Sequence, residues 1–279
     1  MIKQKPEWLK IKLRVDGKFG ETAAAIKKNA LHTVCEEALC PNRSECWSRG
    51  TATIMILGDT CTRSCRFCNV KTGKPTEYDN DEPRRTAEAV LNMKLKHVVI
   101  TSVNRDELKD GGSTLWAETI RAVKNLNPKT TVEILTPDFK GKWDDLKRVL
   151  DAKPDVYSHN LETTRRLTKK IRVQASYERS LSVLKMAADH GAYTKTGIMV
   201  GFGETYDEVV ETMTDALNVG VQIFTIGQYL QPTKNHCPVI QYVHPDEFKK
   251  YKEVGESLGL KHVESGPFVR SSYNAGIYS

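Results

Sequence analysis

The 279-residue sequence has no run approaching the ~18 uninterrupted apolar residues that a membrane span requires. Its opening stretch, MIKQKPEWLKIKLRVDGKFG, holds no apolar segment of the secretory kind. Glu7 and Asp16, without a serine between them, speak against a transit peptide. These absences predict a cytoplasmic protein with no membrane partner. Low-complexity tracts, internal repeats and long linkers are missing as well. So are basic runs with interleaved aromatics, so nucleic acid is not expected as a partner, although 42 Lys+Arg against 35 Asp+Glu give a net charge of +7. Hydrophobic residues at 39% and charged residues at 28% exclude a disordered chain.

Cysteine is scarce outside one window. Six of the seven fall between positions 35 and 68, and Cys237 stands alone, most simply as a small buried hydrophobe or an incidental thiol. A disulfide framework suits small secreted chains, so these six read as metal-binding thiolates. They form two triplets, Cys35-x4-Cys40-x5-Cys46 and Cys61-x3-Cys65-x2-Cys68, with 14 residues between them. Structural zinc calls for four ligands in paired spacings that neither triplet has, though His32 could complete the first as Cys3His. Electron-carrying ferredoxins give each cubane cluster four cysteines. Two sets of three therefore point to two iron–sulfur clusters, each with one iron lacking a thiolate. Such an iron can coordinate something else, as catalytic metal sites do.

Beyond the cysteines, strand and helix patterns alternate. Apolar or β-branched runs stand at 53–57, 97–101, 131–135, 155–158, 194–200 and 222–226, and a further strand is expected near 261–264. Segments of helical spacing lie between most of them, with Thr86, Ser176 and Thr205 as candidate N-caps and Gly191 and Gly220 at helix ends. Repeated βα units imply parallel strands and right-handed crossovers. The expected fold is α/β, a partial TIM-type (β/α)6 barrel. Residues 1–50 read as an extension carrying the first triplet, 51–264 as the barrel, and 265–279 as a tail. Cys61 follows the first strand, which places the second triplet at the strand end where barrels hold their chemistry. Polar groups follow the later strands too, among them Ser102, Asn104, Asp106, Asp138, Asn160 and Glu162.

The second triplet, with Phe67 just before its last cysteine, resembles the signature of the radical S-adenosylmethionine enzymes. From about residue 5 to residue 276 the chain further resembles the lipoyl synthases. The motifs are KPEWLKIKL at 5–13, the first triplet, CTRSCRFCNV at 61–70, TSVNRDELKDGG at 101–112 and ILTPDF at 134–139. They continue with HNLET at 159–163, GIMVGFGET at 197–205, IGQYLQPT at 226–233 and VRSSYNA at 269–275.

The resemblance implies two [4Fe–4S] clusters and S-adenosylmethionine as cofactors. One cluster would be held by Cys61, Cys65 and Cys68, its open iron chelating the methionine part of the cofactor. An auxiliary cluster would take Cys35, Cys40 and Cys46 with a serine of Arg-Ser-Ser-Tyr, assigned to Ser272 with Ser271 as the alternative. An alkoxide matches iron less well than a thiolate, which suits a cluster that is dismantled as the sulfur donor. Phe67 would pack near the adenine, and Ser102, Asn104, Asn160, Glu162 and Arg172 are candidates for holding the cofactor. No side chain is expected as acid, base or nucleophile, because the cofactors carry the hard step. The implied reaction inserts two sulfur atoms, at C6 and C8 of a protein-bound octanoyl chain. Implied partners are octanoylated lipoyl-carrier domains of 2-oxoacid dehydrogenases and the glycine cleavage H protein, with a reductant such as ferredoxin or flavodoxin. Rival readings are another sulfur-inserting radical enzyme of the biotin synthase kind, or a non-enzymatic iron–sulfur carrier. The chain departs from the family pattern at Arg66, where proline is common, at Asn69, where aspartate is common, along Arg172–Ala175, and at Cys237, a position that is usually aliphatic.

Overall fold

The computed structural model describes residues 5–10, 17–273 and 275–277. Ile11, Lys12 and Leu13 of the first family motif, Asp16, and Asn274 of the last motif lie outside the described residues. The chain divides into two compact units, one built chiefly from Lys12–Arg63 and Val70–Tyr157, the other from Ser64–Asn69 and Ser158–Tyr273.

The first unit runs α1 (Gly17–Lys28), β1 (His32–Thr33), α2 (Val34–Glu37), α3 (Arg43–Ser48), β2 (Thr53–Ile56), β3 (Thr60–Cys61) and β4 (Lys71–Thr72). It continues with α4 (Glu82–Asn92), β5 (His97–Ser102), α5 (Ser113–Leu126), β6 (Thr131–Leu135), α6 (Trp143–Leu150) and β7 (Val156–Ser158). Strand order is β1-β2-β5-β6-β7. β2, β5 and β6 are parallel, with Ile54 opposite Ile100 and Ile100 opposite Ile134. Every residue of β2 is buried, as a parallel strand covered on both faces requires. β1 joins this sheet by pairing antiparallel to β2, with His32 opposite Met55. Helices α4, α5 and α6 pack in sequence against one another.

The second unit holds α7 (Arg165–Ile171), α8 (Tyr177–Asp189), β8 (Thr194–Val200), α9 (Tyr206–Asn218), β9 (Ile223–Gln228), α10 (Pro245–Leu258) and β10 (His262–Gly266). β8, β9 and β10 are parallel, Ile226 lying opposite Ile198 on one side and Ser265 on the other. Ser176 caps α8 by accepting from the Arg179 amide, and Thr205 caps α9 in a reciprocal box with Glu208. Gly191 and Gly220 take positive φ just past α8 and α9, as expected. The expected cap at Thr86 is corrected. Helix α4 starts a turn earlier, with Asp81 in the cap position and Pro83 in its first turn, and Thr86 lies buried inside it. Proline's fixed φ and missing N–H favour that first turn, which sets the start.

The chain leaves β2 through a strained corner. Leu57, fully buried, adopts φ +68°, and Gly58 follows at +86°. A non-glycine residue in this region costs about 1–3 kcal/mol and persists only where its surroundings over-determine it. Here they do. The Glu82 carboxylate accepts from the Leu57 amide at 2.7 Å, and the buried Arg105 guanidinium donates to the Leu57 carbonyl at 2.9 Å. A Cβ on Gly112 would stand 2.5 Å from Leu57 Cδ1, so only glycine leaves room for this corner. The corner aims the chain into the loop that begins with Cys61.

Candidate metal centre and cofactor site

The first three cysteines are tied into one knot by short helices. Cys35 lies in α2, capped by Thr33, whose hydroxyl accepts from the Glu36 amide. The Cys40 amide donates to the Cys35 carbonyl at 3.1 Å, and the Arg43 amide donates to the Cys40 carbonyl at 3.2 Å. Cys46 sits in α3, and its carbonyl accepts from both the amide and the hydroxyl of Thr51. Trp47 closes the knot below, buried against Phe19 with ring centroids 5.2 Å apart. Burial first, and then the charges of Cys35 and Cys40, push the Cys46 thiol up to about 12. Cys35 is likewise raised, first by burial. Two buried thiols that resist ionisation, gathered with Cys40 in one knot, are suited to a cationic iron core, which favours their thiolates. Among the described residues no three His, Cys, Asp or Glu side chains gather closely enough to hold a single metal ion.

Cys61 ends β3, paired to β4 through Thr60 and Lys71. Two backbone amides point at its sulfur, Asn104 N–H at 3.3 Å and Arg63 N–H at 3.4 Å. These are donors that suit an anionic, metal-bound thiolate. The Arg63 side chain, 5% exposed, forks onto Asp106 at 2.6 and 2.8 Å and reaches the fully buried Asp138 at 2.6 Å. Burial works against its charge, and the two carboxylates overcome it.

In the other unit the Cys68 amide donates to the Cys65 carbonyl at 3.1 Å. Arg66 between them is held by its backbone, donating to the Ile171 carbonyl at 2.9 Å and accepting from the Cys237 amide at 3.0 Å. His236 Nε2 lies 3.0 Å from the Cys68 carbonyl oxygen. Phe67 packs on a patch of Leu167, Ile171, Phe202 and Tyr229 that Cys237 also covers. Cys237 thus serves as a small apolar side chain, and burial raises its thiol.

Asn160, Glu162 and Arg172 stand close together. Asn160 Nδ2 donates to Glu162 Oε1 at 3.1 Å and to Ser271 Oγ at 2.6 Å, while its buried Oδ1 has no partner. Glu162 takes φ +65°, its amide and carbonyl clipped to Gly197 and Met199 of β8. Burial pushes its carboxyl up, and Arg172 works against that. Arg172 is spent partly on the fold, donating to the Leu161 carbonyl and Ser180 Oγ, both at 3.0 Å. An unsatisfied amide oxygen beside a buried carboxyl is a place for a polar ligand with its own donors.

A family model described as the Radical SAM superfamily matches residues 55–216, more than half of the chain. The chain is 52% identical over 274 residues to a lipoyl synthase of Christiangramia forsetii, covering 98% of this chain and 94% of that relative. It is 55% identical over 275 residues to a lipoyl synthase of a Geobacillus species, covering 98% and 92%. The chain belongs to the lipoyl synthase family. It is an enzyme of the radical S-adenosylmethionine class, with iron–sulfur clusters and S-adenosylmethionine as cofactors. Its fold is similar to that of Streptococcus suis SuiB bound to S-adenosylmethionine, with TM-score 0.61 and 13% identity over 81% of this chain and 55% of that one. The fold class is therefore the α/β partial barrel expected from the strand and helix pattern.

Several strand-end polar groups also serve the fold. The Ser102 hydroxyl accepts from the Trp116 indole at 3.2 Å, Glu204 caps the Gly201 and Phe202 amides, and buried Gln228 bonds four backbone groups. Asn104 contributes its backbone amide toward Cys61, and its side-chain Oδ1 is buried without a partner. Sequence reasoning missed Arg63 and His236. The only signal for Arg63 was an arginine placed between two cysteines of the second triplet. His236 gave no signal.

Proposed function

We propose that this chain inserts two sulfur atoms, at C6 and C8, into an octanoyl group carried on a lysine of a lipoyl domain, consuming an auxiliary [4Fe–4S] cluster as the donor. When bound, the other cluster and S-adenosylmethionine supply a 5′-deoxyadenosyl radical able to take hydrogen from unactivated carbon. The ligands proposed for that cluster are Cys61, Cys65 and Cys68. Those proposed for the auxiliary cluster are Cys35, Cys40, Cys46 and Ser272. The engagement of the Ser271 hydroxyl by Asn160 supports Ser272, the neighbouring serine, as the oxygen ligand. Phe67 offers an apolar wall for adenine, and Asn160, Glu162 and Arg172 offer polar groups for the ribose and the methionine part, with Ser102 and Asn104 completing the set. The protein's own task is to place the carbons and exclude water rather than to move protons.

The observation that carries this reading is the first triplet. Three further thiols gathered in one knot by short helices are superfluous to a radical enzyme that only cleaves its cofactor. We assign residues 1–50, 51–264 and 265–279 to auxiliary-cluster extension, barrel and tail, and the cytoplasm as the working compartment. The carriers would be the acyl-bearing subunits of 2-oxoacid dehydrogenases and the glycine cleavage H protein, and the electron donor a ferredoxin or flavodoxin. The test is anaerobic reconstitution with iron and sulfide, followed by mass spectrometry of an octanoyl-lysine carrier given S-adenosylmethionine and reductant. The expected product gains two sulfurs as 5′-deoxyadenosine forms. Cys40→Ala is expected to keep cofactor cleavage and lose sulfur transfer. Deoxyadenosine formation with an untouched octanoyl chain would overturn the substrate, and no cleavage by fully loaded protein would overturn the reaction.

A further inference from the structure

Cys61 differs from an ordinary loop cysteine in what surrounds its sulfur. The amides of Arg63 and Asn104 both donate to it, at 3.4 and 3.3 Å. The first comes from the cysteine's own loop and the second from the segment after β5, so their convergence is a tertiary arrangement. Thr62 holds it. Its amide and its hydroxyl both donate to the Asn104 carbonyl at 3.0 Å, which turns the opposite face of that residue, the N–H, toward Cys61. The same hydroxyl accepts from the Asp106 amide at 3.0 Å. Arg63 then locks the loop from behind through its fork onto Asp106 and its bond to Asp138, itself fixed at the turn after β6 by accepting from the Lys140 amide at 3.0 Å. Lys140 Nζ closes the ring on the Asp106 carbonyl at 2.8 Å.

We propose that the Arg63 and Asn104 amides set the reduction potential of the cluster bound at Cys61, and that Thr62 and the Arg63–Asp106–Asp138 network are the positioning groups that keep those amides aimed. This rests on the ligand assignment proposed above. Hydrogen bonds to ligand sulfur are among the determinants of cluster potential, because the positive end of an N–H dipole favours the more negative, reduced state. An electron that must go on to cleave a sulfonium has to be available at low potential, yet the cluster must still accept it from a cellular donor. Two amides at one of three thiolates raise the potential toward that donor.

The test measures the potential of the single cluster by redox titration with electron paramagnetic resonance, in full-length protein whose Cys35, Cys40 and Cys46 are replaced by alanine. Thr62→Val removes the hydroxyl without changing charge. Arg63→Lys keeps the charge and loses the fork. Both are expected to make the cluster harder to reduce by about tenfold in the equilibrium constant, or about 59 mV lower for a one-electron couple. Thr62→Ser, which restores the hydroxyl, is expected to return the wild-type potential. Loaded Thr62→Val and Arg63→Lys proteins with unshifted potentials would overturn this inference alone. A protein that binds no cluster with Cys61, Cys65 and Cys68 intact would overturn the ligand assignment beneath it.

Discussion

Leu57 is a residue whose conformation is imposed on it. Its positive φ is held by Glu82 on one side and Arg105 on the other, 25 and 48 residues away in sequence, and by a glycine that yields the space. Gly112→Ala puts a methyl group against Leu57 at a φ of +85°, and is expected to destabilise the cluster-free protein by about 2–4 kcal/mol in urea denaturation, from backbone strain and overpacking together. A loss under about 0.5 kcal/mol would show that the corner yields easily. At this scale the clustered thiols were legible and their supports were not. Cysteine at fixed spacing announces itself in one dimension, whereas Arg63 finds its two carboxylates 43 and 75 residues away. Nothing local marks that arginine as buried and paired.

Elements were read more completely. The strands of a sheet covered on both faces are continuous apolar and β-branched runs, and β2, β5, β6 and β8 fall within a residue or two of where those runs predict them. The α9 start was legible for a local reason, since Thr205 and Glu208 form a capping box within four residues. That box also carries a pH dependence. The Arg166 guanidinium holds Glu208 down to about 2 in the folded protein, below the unfolded value of roughly 4.3. Its contribution is therefore complete above about pH 5 and is lost as pH falls toward 2. Glu208→Gln is expected to lower the urea midpoint at pH 6, and the gap to the wild-type chain should narrow steadily at pH 4 and pH 3. A gap independent of pH would place the effect in the hydrogen bonds alone. The start of α4 was misplaced because Pro83 and Asp81 precede the apolar periodicity, and Glu82 faces a buried amide rather than solvent.

For the whole molecule, +7 is a modest charge, enough to steer an acidic carrier domain at low salt. Raising ionic strength from about 0.05 M to about 0.5 M is expected to raise KM for such a carrier severalfold while kcat holds, since exposed charges are screened beyond a few ångströms there. A salt-independent KM would leave apolar contact as the means of docking. No helix among the described residues is long and apolar enough to cross a membrane, in line with the hydropathy of the chain. The sequence by itself determined two groups of three thiols and the alternation of strand and helix that carries them, because cysteine spacing and hydrophobic period are properties of consecutive residues. It left Ser271 and Ser272 equivalent. Only the tertiary structure gave the Ser271 hydroxyl to Asn160, 111 residues away, and turned two amides onto Cys61. Hydrogen bonds are directional, and a direction exists only once distant segments have been fixed against each other.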